Sequence, residues 1–96
     1  MKPSAAFNLH RDAIRRIVEQ NCAQNPRVFG SVVHGDDAED SDLDLLVDPT
    51  ERTTLLSIVR IESELQHLLG VAVDVQTPGS LSERFRQAVL AEAMKV

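Results

Sequence analysis

Tryptophan and tyrosine are absent from this sequence, cysteine occurs once, and no apolar run reaches the length of a membrane-spanning helix. Each gap closes off a class of function. Aromatics at 3% leave no stacking platform of the kind that single-strand nucleic-acid binders use. The lone Cys22 excludes an internal disulfide and a cysteine-rich zinc site, and it fits a reducing compartment. Met1-Lys2-Pro3-Ser4 lacks a signal-peptide core, so the expected location is the cytoplasm. Basic residues are also short. Ten Lys and Arg against 15 Asp and Glu give a net charge of −5, which argues against direct nucleic-acid binding through a counterion-displacing face.

What is present suits a small globular protein. Hydrophobic residues make up 43% and charged residues 26% of the 96 positions. A chain of this length is expected to form a single domain over residues 1–96 with one modest core. A substrate site would then be an open groove finished by a second protein. The acids are unevenly spread: Asp36, Asp37, Glu39, Asp40, Asp42, Asp44 and Asp48 crowd one segment, which repels itself unless solvated or bound to cations.

Periodicity predicts the order helix, strand, strand, helix, strand, helix, a small α/β (α+β) domain. Asn8 is the expected N-cap of a first helix running to about Cys22, ahead of Asn25-Pro26. Arg27 to Phe29 reads as a strand ending at Gly30-Ser31, with Gly35 closing a turn, and Asp42 to Val47 as the next strand. Asp48-Pro49 is expected to open a helix with a buried stripe of Leu55, Ile58, Val59, Leu65, Leu68 and Leu69, stopped by Gly70. Val71 to Val75 reads as a third strand. Ser80 and Glu83 have capping-box spacing for a last helix that turns Phe85, Ala88, Val89 and Ala93 inward.

Asp42 and Asp44 stand out. Alternate residues of a strand share a face, and at about 3.3 Å rise per residue their Cα atoms lie roughly 6–7 Å apart. Two such carboxylates repel unless a proton or cations intervene, and a pair of magnesium ions about 3.5–4 Å apart would suit them for in-line phosphoryl displacement. The plainer alternative is a pair of surface acids on a half-exposed strand, against which stands the rarity of Asp in strands. Asp74 lies within the apolar Val71-Ala72-Val73-Asp74-Val75, where an unpaired carboxylate is costly. Alone it would read as an edge-strand acid facing water; beside Asp42 and Asp44 it completes a cluster. Gly30 permits close approach of a ligand, and the Ser31 hydroxyl and nearby amides suit phosphate oxygens, although most Gly-Ser pairs are plain turns.

Taken together, Gly30-Ser31-Val32-Val33-His34-Gly35, a polar spacer, and Ser41-Asp42-Leu43-Asp44-Leu45-Leu46-Val47 resemble the signature of the DNA polymerase beta nucleotidyltransferase superfamily. The resemblance implies that fold, a short mixed sheet with helices packed on it. It further implies that Gly30, Ser31 and Ser41 bind nucleotide, that Asp42 and Asp44 ligate both magnesium ions, and that Asp74 ligates the catalytic one and draws the proton from the attacking hydroxyl. One departure is visible: the family commonly closes the turn with Ala-Arg-Gly, here Val33-His34-Gly35. His34 reads equally as a phosphate contact or as a solvated loop residue.

The short chain looks like the minimal nucleotidyltransferase (MNT) family, many of whose members are antitoxins paired with HEPN-domain toxins. That resemblance implies transfer of AMP from ATP to a toxin tyrosine. Two other readings stay open: an MNT-fold antitoxin that silences its partner by binding alone, and a transferase acting on a small molecule of the aminoglycoside type. Asp36, Asp37, Glu39 and Asp40 are expected to be solvated, Asp48 to cap a helix, Cys22 to pack, and His10 and His67 to lie on the surface.

Overall fold

Four strands and five helices alternate along the computed structural model, which describes residues 1–96. Helices α1 (Pro3–Leu9) and α2 (Arg11–Gln20) lead into β1 (Ala23–Phe29) and a one-turn helix α3 (Ser31–His34). Then come β2 (Leu43–Pro49), α4 (Leu55–Leu69), β3 (Val73–Gln76), a 3₁₀ turn (Pro78–Ser80), α5 (Glu83–Glu92) and β4 (Met94–Lys95). The sheet has the order β3-β2-β1-β4. β1 pairs antiparallel with β2 and β4, while β2 and β3 run parallel, so the expected mixed sheet of an α/β domain is present.

Alternation in β2 and β3 decides where the core sits. Leu43, Leu45, Val47, Val73 and Val75 point to one face and are buried against Phe7, Ile14, Val18, Ile61, Leu65 and Leu69 from α1, α2 and α4. The intervening residues, Asp44 and Asp74 among them, point to the other face. α4 also closes the free edge of β3: Glu62 accepts from the Val75 N–H at 2.9 Å, and Gln66 donates to the Val73 carbonyl. An edge strand so occupied offers little to a foreign strand. No helix is long and apolar enough to cross a membrane.

Several expected boundaries shift, each for a local reason. The first helix is two helices that meet at His10. Asn8 caps neither, because its side-chain oxygen accepts from the Arg11 guanidinium and its amide donates to the Ser4 carbonyl. Asn25-Pro26 lies inside β1 as a bulge, with Asn25 at φ 52, a place where a strand tolerates a residue without an N–H. Asp48-Pro49 does not start a helix. It continues β2 opposite Gln24 and Ala23, beyond the stretch that β3 pairs. α4 starts six residues later, at Leu55, where Thr54 and Ser57 form a reciprocal capping box. Its buried stripe is Ser57, Ile61, Leu65 and Leu69; Leu55, Val59 and Leu68 are exposed. Ser80 belongs to the 3₁₀ turn, where it forms its box with Thr77, and α5 begins after Ser82 without burying any residue. Phe85 and Ala88 are therefore exposed, and Val89 and Ala93 only half-buried.

Candidate active site

Three carboxylates are carried to one end of the β2–β3 pair by strand geometry. Asp44 and Asp74 are register partners in the parallel ladder, so their side chains leave the same face of the sheet, with strands about 4.8 Å apart. Asp42 is exposed just before β2 begins, and its neighbour Leu43 is already tied to β3 through its N–H to the Ala72 carbonyl at 2.8 Å. Loss of solvation on burial, then the charges of Asp74 and Asp42, push the Asp44 carboxyl up from 3.8 to about 6. That shift reflects burial first and the crowding of like charge second.

Gly30 forms the wall beside Asp44, since Phe29 at the end of β1 is the antiparallel partner of Asp44. Glycine is required here twice over. Its φ of 75 and ψ of −142 lie where other residues are strained, and a Cβ would stand 3.2 Å from the Asp44 Cγ and closer still to Oδ2. Ser31 then begins α3, whose single turn uses the Gly30 carbonyl as acceptor for Val33 and His34. Ser41 sits at the far side of the acidic loop. Its hydroxyl oxygen accepts from the Ala38 N–H at 2.8 Å, closing the turn that delivers Asp42.

The donor set fits a hard divalent cation. All three groups are carboxylates, Asp44 has no hydrogen-bond partner in the fold, and Gly30 leaves its oxygen room. As oriented, no three His, Cys, Asp or Glu side chains converge closely enough to share one ion. Asp74 is engaged instead with Gln76, whose amide donates to both carboxylate oxygens at 3.2 and 3.3 Å. A groove of about 400 Å³ beside this residue is lined by Leu55, Ile58, Val59, Glu62, Asp74 and Gln76, among others.

His34 turns away from the acids and meets Glu92 of α5 at 2.9 Å, which links α3 to the C-terminal helix. Asp48 lies further along the acid-bearing face, where burial would raise its pKa but hydrogen bonds from Asn25 and Arg27 and the guanidinium charge lower it overall. It therefore caps no helix. Asp37 is likewise not free: its carboxylate accepts from the Ser4 N–H at 2.9 Å and holds α1 against the acidic loop. Asp36, Glu39 and Asp40 are exposed, as is His67 on α4. Cys22 is half-buried at φ 66, with its carbonyl accepting from Thr50 and Thr53. Sequence reasoning overlooked Gln76. The signal was available, because a residue two positions after Asp74 on a strand must share its face.

Residues 13–96 match the family described as Polymerase beta, Nucleotidyltransferase. The protein adenylyltransferase MntA of Thermococcus cleftensis is 44% identical over 69 residues, which cover 72% of this chain and 70% of that protein. A solved structure described as a minimal nucleotidyltransferase is 41% identical, superimposes with a TM-score of 0.86, and is matched over 97% of this chain and 95% of its own. The fold also recurs in an MNT antitoxin bound to a tri-AMPylated Shewanella oneidensis HEPN toxin. There the TM-score is 0.69 at 20% identity, over 92% of this chain and 69% of that one.

Proposed function

Because this chain belongs to the polymerase beta nucleotidyltransferase family, we propose that it transfers AMP from ATP to a tyrosine hydroxyl of a HEPN-type toxin and so acts as the antitoxin of a toxin–antitoxin pair. The observation that carries this reading is the in-register pair Asp44 and Asp74, with Asp42 two residues upstream and Gly30 opening the space above Asp44. The identity to an adenylyltransferase and the likeness to an antitoxin–toxin complex support the donor and the acceptor.

In the proposed reaction Asp42 and Asp44 would hold two magnesium ions, and Asp74 would share one of them. Magnesium, when bound, neutralises charge on the triphosphate and on the leaving group. The Gly30-Ser31 turn would seat the phosphates, the Ser31 hydroxyl and the amides of Ser31 and Val32 donating to their oxygens, and Ser41 would keep Asp42 aimed at them. The acceptor oxygen attacks the α-phosphorus, its proton passes to Asp74, and the bond to the β-phosphate oxygen breaks to release pyrophosphate. The acceptor would arrive on a second macromolecule. A net charge of −5 favours a protein over nucleic acid.

The test is incubation of the chain with ATP, magnesium and the product of the neighbouring gene, followed by mass spectrometry of both proteins. A gain of one AMP on a partner tyrosine, lost in Asp42→Asn with Asp44→Asn, establishes the transferase. A tight complex with no added mass, indifferent to those substitutions, establishes a binding antitoxin. The pairing of His34 with Glu92 favours that second reading, since it leaves no free imidazole for phosphate. Adenylylation of a free aminoglycoside without any complex would overturn both.

A further inference from the structure

We propose that Gln76 is a positioning residue for Asp74, and that Ser80 holds the far end of its amide. Gln76 follows Asp74 by two residues on β3, so both side chains leave the same face. Its Nε2 spans the two carboxylate oxygens at 3.2 and 3.3 Å, while its Oε1 accepts from the Ser80 hydroxyl at 2.8 Å. An amide can be placed either way round, and the carboxylate, which can only accept, selects the one that presents Nε2 to it; Oε1 is thereby left to the Ser80 hydroxyl, which also lies 3.0 Å from the Thr77 carbonyl. Ser80 is itself held by the 3₁₀ turn: its hydroxyl oxygen accepts from the Thr77 N–H at 2.9 Å, and its own N–H reaches the Thr77 hydroxyl at 3.2 Å. Thr77, Ser80, Gln76 and Asp74 therefore form one continuous chain of hydrogen bonds that ends on the third acid of the site.

The choice of an amide has a chemical consequence. A lysine or arginine in this place would hold the carboxylate more strongly but would set a positive charge where a cation has to enter. A neutral donor restrains Asp74 and leaves lone pairs on both oxygens for a cation. The asymmetry between the two strands follows. Asp44 is confined by burial and by Gly30, with no hydrogen-bond partner, whereas half-buried Asp74 on the edge strand is steadied by a tether. Hydrogen-bond partners of metal-binding carboxylates typically change metal affinity by about 10–100-fold when removed.

This inference rests on the proposed metal-dependent transfer, so the test reads metal binding directly. Mn2+ binding to the free chain is measured by electron paramagnetic resonance in the presence of a non-hydrolysable ATP analogue, for the parent, Gln76→Leu, Ser80→Ala and Ser80→Thr. Thermal melting of the metal-free proteins is followed in parallel. Gln76→Leu is expected to weaken Mn2+ about ten-fold, Ser80→Ala by a smaller factor in the same direction, and Ser80→Thr to keep the parent affinity, all at little change in melting. Parent-like affinity in both Gln76→Leu and Ser80→Ala would overturn the positioning role alone. A parent chain that binds no Mn2+ would overturn the metal reading and this inference with it. If Gln76→Leu melts early, the exposed Ser80→Ala variant decides: unchanged affinity overturns the proposal and weakened affinity supports it.

Discussion

The two faces of the β2–β3 pair are built from interleaved residues of the same two strands, yet they do opposite things. On one face Leu43, Leu45, Val47, Val73 and Val75 are buried under α1, α2 and α4 and hold the fold together. On the other, Asp44 and Asp74 sit half-buried and in register, and like charge there opposes folding. A strand anchored so firmly through one face can carry destabilising groups on the other. The rigidity that fixes the acids comes from the leucines between them.

Truncating the anchor is expected to have the largest effect. Leu45→Ala should lower stability by about 3 kcal/mol, because Leu45 is fully buried in the centre of the core. Urea denaturation measures this, and a loss below about 1 kcal/mol would break the claim that the core face carries the strand. Gly30→Ala strikes the contact between the faces. Its φ of 75 and the collision with the Asp44 carboxylate should cost about 2 kcal/mol. The same variant should lose nucleotidyl transfer by more than its loss of folded protein explains, as read by activity per folded molecule.

The acid-bearing face should show the opposite sign. In the folded state the Asp44 carboxyl is pushed up to about 6 from its ordinary 3.8, so the folded chain holds the proton more tightly. Stability therefore falls as pH rises from about 4 to 6, and the penalty is complete above that window. Asp44→Asn removes it. The variant should be more stable than the parent by about 1 kcal/mol at pH 7, after discounting the shift for solvent screening of a half-exposed group. It should match the parent near pH 4. Thermal melting across pH 4–8 checks both points, and an Asn variant less stable than the parent at pH 7 would contradict the repulsion.

How far the sequence was legible divides along similar lines. Alternation in Leu43-Asp44-Leu45 set Asp44 apart from the core leucines, and the apolar setting of Asp74 marked β3, because period-two patterns translate directly into faces, while Asp42 falls one residue before β2 rather than on it. The register between Asp44 and Asp74 was not legible, since it depends on the parallel crossover through α4 rather than on either strand. Gln76 was missed because an amide in a strand carries no chemical flag by itself. Helix starts were read worst. Pro49 reads as a helix opener, yet Asn25 and Arg27 hold Asp48 in the extended ladder, and the cap is instead Thr54 with Ser57.

The apolar stripe of α4 differs from the expected one as well, and the difference can be tested at one residue. The sequence reading turns Leu55 inward; in the structure it is the first helical residue after the Thr54 N-cap and 81% exposed. Leu55→Glu should then change stability by no more than about 0.5 kcal/mol in either direction. The loss of apolar surface costs little where that surface already faces water. An acid in the first turn gains slightly from the helix dipole, which offsets it. The measurement is urea denaturation at two protein concentrations a hundred-fold apart. A loss above about 1 kcal/mol at both concentrations would put Leu55 in the core and restore the earlier stripe. A loss seen only at the higher concentration would place Leu55 in contact with a second copy of the chain, because association stabilises by mass action and disappears on dilution.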